Sequence, residues 1–200
     1  MNFNDNRERR NVLISIILTG FLFSIVVLDL SIDFLFSIPI YILGATIALV
    51  VNAYVSRIAA ERLGSVFIYK FWLPGFILSI ISAVLSMGNI VFAAPASKTI
   101  EPDRMKRWEK KQIHLESKEI GKISLVGPLS NFILAVVFWI IFEITSTEFL
   151  LTFGFINLWV SVSHLIPYHP LDGARVMVWN DLIWLVSFIL PLAGLLLFFF

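Results

Sequence analysis

Two histidines, an aspartate and two prolines lie close together near the end of the chain. The stretch from Ser163 to Gly173 is Ser-His-Leu-Ile-Pro-Tyr-His-Pro-Leu-Asp-Gly. Its prolines cannot lie inside a continuous helix, because each removes a backbone donor and clashes with the preceding turn. Asp172 is therefore expected in an irregular segment between two apolar runs, where a carboxylate is a candidate metal ligand or ion site. The alternative is structural, with Asp172 capping the next helix and pairing with Arg175. The residues alone favour this second role.

Three other side chains could take part in polar chemistry at membrane depth. His164 and His169 lie within nine residues of Asp172, so a metal site made from all three is an open alternative. However, His169 lies near the end of an apolar run, where a solvated or hydrogen-bonded imidazole is commoner. Asn131 lies inside a different apolar run and is expected to form an interhelical hydrogen bond.

The composition places most of the chain in a lipid bilayer. It is 58% hydrophobic and 14% charged, whereas soluble domains carry roughly a quarter of charged residues. Long apolar runs approach the ~20 residues that a helix needs to cross a membrane, and they cover residues 11–29, 34–56, 71–94, 123–142, 149–167 and 182–200. The sequence predicts an all-α, polytopic transmembrane helix bundle with five or six spans, forming a single integral membrane domain over residues 1–200. The first run lacks a small-residue cleavage pattern, so we expect an uncleaved span there.

Some classes of function are excluded by what the sequence lacks. The chain has no cysteine, which excludes disulfides, thiolate metal ligands and a cysteine nucleophile. No stretch is basic enough to indicate a nucleic-acid partner.

The charged segment 95–122 determines the predicted topology. Between Lys98 and Lys122 it holds eight Lys and Arg residues against five acids, so it is expected to be a solvated loop on the cytoplasmic side. Six full crossings would place this loop outside. The conflict disappears if 71–94 enters and leaves on one side as a re-entrant hairpin, and both interpretations stay open.

Two short motifs resemble those of a known family. Pro170-Leu-Asp-Gly173 looks like an LDG motif, and Gly127-Pro-Leu-Ser-Asn131 looks like a G-P-x-[ST]-N helix start, with Val91-Phe-Ala-Ala-Pro95 as a further similar segment. Together they resemble the site-2 protease family of intramembrane zinc metalloproteases (peptidase family M50), over a core of about residues 34–184. The resemblance implies that Asp172 is the third protein ligand to zinc.

The zinc-binding H-E-x-x-H motif of that family is missing. Matching Ala60-Glu-Arg-Leu-Gly64 to the family's A-x-R-L-G pattern puts the motif at Asn52-Ala-Tyr-Val-Ser56. Asn52 and Ser56 then replace the two histidines, and Ala53 replaces the glutamate that acts as the base. Zinc sites use His, Cys, Asp or Glu. We therefore expect no catalytic residues at these degenerate positions, and Asp172 as a remnant ligand without a metal. Zinc is expected only if the family activity is retained.

The resemblance also implies residues that would contact a substrate. The family has an asparagine in an N-x-x-P arrangement before the LDG motif, and here His164 and Pro167 hold those positions. His164, Pro167 and Asn131 are therefore the expected substrate-binding residues. Whether 57–70 keeps the family's short strand, which holds an extended substrate at the membrane edge, stays open.

The predicted function is that of an inactive family member in the cell membrane, which binds or regulates transmembrane segments of other membrane proteins. One alternative is an active metalloprotease with an atypical metal site at Asp172. Another is a small channel or transporter lined by Asp172, Asn52 and Asn131, although no internal repeat supports transport. If the match is right, Asn52→His together with Ser56→His should create a zinc site with Asp172.

Overall fold

The computed structural model describes residues 6–25, 32–87, 89–103 and 114–199. Within these ranges the chain forms seven helices and one two-stranded antiparallel sheet. The helices are α1 (Asn6–Ser24), α2 (Ile32–Arg62), α3 (Leu73–Leu85), α4 (Ser117–Thr145), α5 (Glu148–Leu165), α6 (Asp172–Trp179) and α7 (Asp181–Phe199). The strands are β1 (Ser65–Phe71) and β2 (Ala96–Pro102).

Four helices of the described ranges are long and apolar enough to cross a membrane. They are α2 from Ser37 onward, α4, α5 and α7, and their mean hydropathy lies between 1.3 and 2.2. A helix of about 20 apolar residues covers the hydrocarbon core and satisfies its own backbone there. The chain is therefore an all-α membrane bundle, as predicted.

These four spans are fewer than the five or six predicted. Helix α1 begins with four charged side chains in succession, Arg7 to Arg10, which leaves only a short apolar part within its bounds. The predicted first span, 11–29, also runs beyond the described residue 25. Helix α3 has 13 residues and is about 20 Å long, which is shorter than the ~30 Å hydrocarbon core.

The segment 71–94 returns to the place where it starts. Phe71 of β1 pairs with Ala96 of β2 in the antiparallel sheet, and the Trp72 amide donates to the Pro95 carbonyl at 2.9 Å. Serines of α3 hold the returning chain, since the Phe92 amide donates to the Ser82 hydroxyl at 2.8 Å. Both ends of the segment thus lie together, as the re-entrant interpretation requires and a full crossing does not.

The charged segment 95–122 is not a loop throughout. Residues 96–102 form β2, and α4 begins at Ser117, where Glu116 and Glu119 form a reciprocal capping box; residues 104–113 lie outside the described ranges. Since side chains alternate across a strand, β2 turns Ala96 and Lys98 inward, and both are buried. Lys98 is therefore an interior residue and not part of a solvated surface.

Small side chains let the helices pack closely around α2. Ala45, Ala48, Ala53 and Ala60 of α2 are 0–2% exposed, so neighbouring backbones can approach it. Helices α4 and α5 form an antiparallel hairpin, and the Ser161 hydroxyl of α5 donates to the Pro128 carbonyl of α4 at 2.8 Å.

A partly buried ion pair, hereafter the peripheral pair, connects α1 to the rest of the bundle. The Arg57 guanidinium on α2 contacts the Glu8 carboxylate on α1. The Tyr69 amide of β1 donates to the same carboxylate at 3.1 Å. The pair thereby fixes α1 against both α2 and the two-stranded sheet of β1 and β2, hereafter the β-ribbon.

Candidate functional site: a buried polar centre

Helix α2 brings the predicted motif residues to one buried face. Asn52 and Ser56 lie four residues apart, and side chains at this spacing lie one above the other on a helix. Asn52 is 2% exposed and Ser56 is fully buried, and Ala53 beside them is 2% exposed. Tyr54 points away and is 47% exposed. The helix therefore presents an amide, a methyl group and a hydroxyl to the interior.

Helix α6 places Asp172 opposite this face. The chain leaves α5 at Leu165, passes the two prolines, and starts α6 at Asp172 itself. A Cβ on Gly173 would lie 2.0 Å from the Leu165 carbonyl oxygen, so only glycine allows this tight approach of α6 to the end of α5. The Asp172 carboxylate is held inside the bundle and its residue is 1% exposed.

Lys98 of β2 lies between α2 and α6. Its ammonium Nζ is 2.6 Å from Asp172 Oδ2 and donates to Ser56 Oγ at 3.1 Å. The side chains of Lys98 and Asp172 are each 1% exposed. We call Asn52, Ser56, Lys98, Asp172 and His164 the polar centre.

Gly127 of α4 closes the polar centre from a fourth direction. A Cβ on Gly127 would lie 2.5 Å from Ser56 Oγ, 2.7 Å from Asn52 Oδ1 and 2.7 Å from Lys98 Nζ. These three polar atoms therefore converge on one point beside the α4 backbone. Glycine is needed at the first position of the Gly127-Pro-Leu-Ser-Asn131 stretch, because any side chain there would enter the polar centre.

Asp172 takes part in more contacts than the sequence suggested. His164 Nδ1 lies 3.2 Å from Asp172 Oδ2, and Arg175 Nη1 lies 3.6 Å from Asp172 Oδ1. The cap of α6 is Leu171, without a side-chain hydrogen bond, so the expected capping role is wrong while the expected contact with Arg175 is present. Arg175 also donates its Nη2 to the Lys98 carbonyl at 2.5 Å.

The charges around Asp172 outweigh its burial. Burial alone would raise the pKa of this carboxyl. The Lys98 ammonium and the adjacent His164 together have a larger effect in the opposite direction, and they lower the pKa to about 2. Asp172 is thus an ionised carboxylate, and Lys98 supplies the opposite charge at hydrogen-bonding distance.

The remaining predicted site residues are divided between the interior and the surface. His164 is 2% exposed and lies within the polar centre, whereas Pro167 and His169 are exposed. The three-residue metal site of His164, His169 and Asp172 is therefore not assembled. In the described ranges, no group of three or more His, Cys, Asp or Glu side chains could hold a metal ion.

Asn131 does not meet its expected role in the bundle. The residue is fully buried, yet neither its amide nitrogen nor its amide oxygen has a hydrogen-bond partner. The expected interhelical hydrogen bond is thus not formed. The prediction that Asn131 contacts a substrate stays a prediction.

The fold and the site are those of a helical membrane protein with a buried polar centre. Comparison with known proteins shows the family to which it belongs. A protein of Methanocaldococcus jannaschii named "Putative zinc metalloprotease" is 32% identical over 182 residues, covering 84% of this chain and 88% of the relative. The chain belongs to the same family as that metalloprotease relative. No family model matches the chain, and no solved structure matches it.

The polar centre does not fit a zinc ion. Zinc is held by His, Cys, Asp or Glu side chains, and the positions around Lys98 offer one carboxylate together with an amide and a hydroxyl. His164 contacts the carboxylate rather than facing a vacant position. The Lys98 ammonium would also repel a divalent cation at this distance.

Proposed function

We propose that the chain is a non-proteolytic member of its family, related to the site-2 proteases, and that it binds transmembrane segments of other proteins in the cell membrane. The carrying observation is the composition of the polar centre. The side chains facing Asp172 from α2 are Asn52 and Ser56, with Ala53 beside them. None of these is a good zinc ligand, and alanine cannot act as a general base.

An extended client strand has no free place beside the centre of the β-ribbon. Tyr69 of β1 pairs with Lys98 of β2. The outward amide of Tyr69 donates to Glu8, and the Lys98 carbonyl accepts from Arg175. Both edges of this pair are therefore occupied by the chain's own side chains, which disfavours strand addition by a client at this position.

An apolar groove between α4, α5 and α7 offers a different place for a client. It has a volume of about 440 Å³ and lies between three of the helices that are long enough to span a membrane. Its lining includes Ala135, Trp139, Leu158, Leu190, Ala193 and Gly194. The small residues among them, Ala135, Ala193 and Gly194, let a second transmembrane helix approach closely. The client that we propose for this groove is therefore a transmembrane helix of a partner protein.

The proposed loss of proteolysis can be tested on the purified protein. We expect elemental analysis to find no stoichiometric zinc and expect no cleavage of a transmembrane reporter substrate, because the ligands and the base are replaced. The Asp172→Ala variant is the matched control. About one zinc per chain, lost in Asp172→Ala, would overturn the proposal.

The client groove can be tested by photo-crosslinking in native membranes. A benzophenone amino acid at Leu190, which is 47% exposed in the groove, should crosslink to a membrane protein. The same probe at Leu78 of α3, which is 46% exposed, is the control and should not give that product. Ala193→Trp should fill the groove and reduce the product from Leu190. If only lipid is crosslinked from Leu190, the groove does not bind a client.

A further inference from the structure

Lys98 lies where the compared motif would require the metal ion. In the predicted match, Asn52 and Ser56 hold the positions of two imidazole ligands and Asp172 holds that of the third ligand. A bound ion would have to lie between these three side chains. The Lys98 ammonium lies there, in contact with Ser56 Oγ and Asp172 Oδ2.

We propose that the Lys98 ammonium is an internal cation that takes the place of the family's metal ion. This inference rests on the proposed function, because it uses the same match of residues 52–56 to the lost motif. It goes further in naming what replaced the metal and what now excludes it.

The burial of Asp172 explains why a cation is needed at this point. Its side chain is 1% exposed, and a buried carboxylate without a partner is strongly unfavourable. Loss of two imidazole ligands removes the affinity for a dication and would leave this carboxylate uncompensated. An ammonium on a neighbouring strand restores the charge balance, and its three donors suit a carboxylate and a hydroxyl.

Arg175 is a weaker candidate for the same role. Its Nη1 lies 3.6 Å from the Asp172 carboxylate, against 2.6 Å for Lys98 Nζ, and its side chain is 19% exposed. Its Nη2 is already bonded to the Lys98 carbonyl. Arg175 therefore helps to position the backbone that carries Lys98, while Lys98 supplies the closer charge.

A serine–lysine hydrolase would also place these two side chains together, but the surroundings oppose it. A general base must accept a proton. Burial lowers the pKa of Lys98, but the adjacent Asp172 carboxylate, 2.6 Å away, acts in the opposite direction and stabilises the protonated ammonium. Ser56 is also fully buried, so a substrate carbonyl has no access to its hydroxyl. The contact is therefore structural and electrostatic.

The Lys98 ammonium changes the zinc binding expected of variants with engineered histidines. The Asn52→His/Ser56→His variant still contains the Lys98 ammonium and should bind zinc no more tightly than the wild type. Adding Lys98→Met removes the ammonium, because the unbranched methionine side chain ends one atom short of the position of Nζ. Isothermal titration with zinc in detergent should then show affinity higher by roughly 100-fold or more, and Asp172→Ala should remove this gain.

The possible outcomes separate the two proposals. Measurable zinc binding that is equally tight with and without Lys98→Met would overturn the inference while leaving the match of 52–56 to the motif, and the proposed function, in place. No zinc binding by a folded triple variant would overturn both the match and the inference. Tight zinc binding by the triple variant, without tight binding by Asn52→His/Ser56→His, supports both the match and the inference.

A second measurement does not depend on histidine substitutions. Lys98→Met alone leaves Asp172 without its cation and should lower the thermal midpoint, whereas Lys98→Met/Asp172→Asn removes both charges and should recover most of the loss. If Lys98→Met is as stable as the wild type, the double variant has no loss to recover. Lys98 then does not balance Asp172, and the inference is wrong.

Discussion

Among the described residues, the peripheral pair and the Lys98–Asp172 pair of the polar centre differ in how completely they are enclosed. In the peripheral pair, the side chains of Arg57 and Glu8 are 14% and 9% exposed. In the polar centre, the side chains of Lys98 and Asp172 are each 1% exposed. Water can therefore solvate part of the first pair, while the second depends on protein groups alone.

The neighbours of the two pairs differ as well. Glu8 also accepts from the Tyr69 amide, and Arg57 lies 5.6 Å from the centre of the Phe67 ring, so each partner keeps other favourable contacts. The polar centre is enclosed by the Asn52 amide, the Ser56 hydroxyl and the Gly127 backbone, which carry no charge, and the second cation near Asp172, Arg175, is farther away at 3.6 Å. A charge without access to water must be balanced inside the bundle, so the central cation is the harder one to remove.

The largest effect should follow removal of the cation from each pair in turn. Lys98→Met leaves Asp172 buried and uncompensated and should lower the free energy of unfolding by roughly 3–5 kcal/mol. Arg57→Met leaves Glu8 with its amide donor and partial solvation and should cost about 1–2 kcal/mol. Chemical unfolding in the same detergent micelles measures both values.

If Arg57→Met costs as much as Lys98→Met, then enclosure does not separate the two pairs. The polar centre would then be an ordinary structural ion pair in its energetics.

A smaller effect should separate two glycines within the spans. Gly127→Ala would push a methyl group against Ser56 Oγ and Lys98 Nζ and should cost about 1–3 kcal/mol by overpacking. Gly154→Ala is the matched control, because its nearest neighbouring atom would lie 3.5 Å away. That variant should be as stable as the wild type, or up to about 1 kcal/mol more stable. Equal losses in the same unfolding assay would mean that the polar centre is not tightly closed by α4.

Local sequence features predicted much of the frame of the polar centre. The two prolines end α5 where expected, Asp172 follows between apolar runs, and Asn52 and Ser56 share one buried face because helical spacing is regular. These features depend on residues close together in the chain. The sequence left open whether 71–94 crosses the membrane, because apolar composition alone does not show that this segment folds back through the sheet.

The central role of Lys98 could not be predicted from composition. Its segment is rich in charge, which favours a solvated loop, and only the pairing of 65–71 with 96–102 turns this side chain inward. Such pairing joins residues about 30 positions apart and depends on tertiary structure. The weak signal in the sequence was the short run Ala93-Ala-Pro-Ala-Ser97 before Lys98, which carries no charge and has only small side chains, as is typical of a closely packed segment.

The register of the β-ribbon has a consequence for changes in chain length. Tyr69 and Lys98 are opposite each other on the inner face, and Ser97 and Thr99 belong to the other face. A single-residue deletion or insertion that shifted β2 by one position would exchange the two faces, replacing the central ammonium by a hydroxyl. A two-residue change would keep the alternation but bring Ala96 or Ile100 to the place of Lys98. The length of the connection from Trp72 to Pro95 is therefore constrained, because β2 must keep the Lys98 ammonium on the inner face of the sheet.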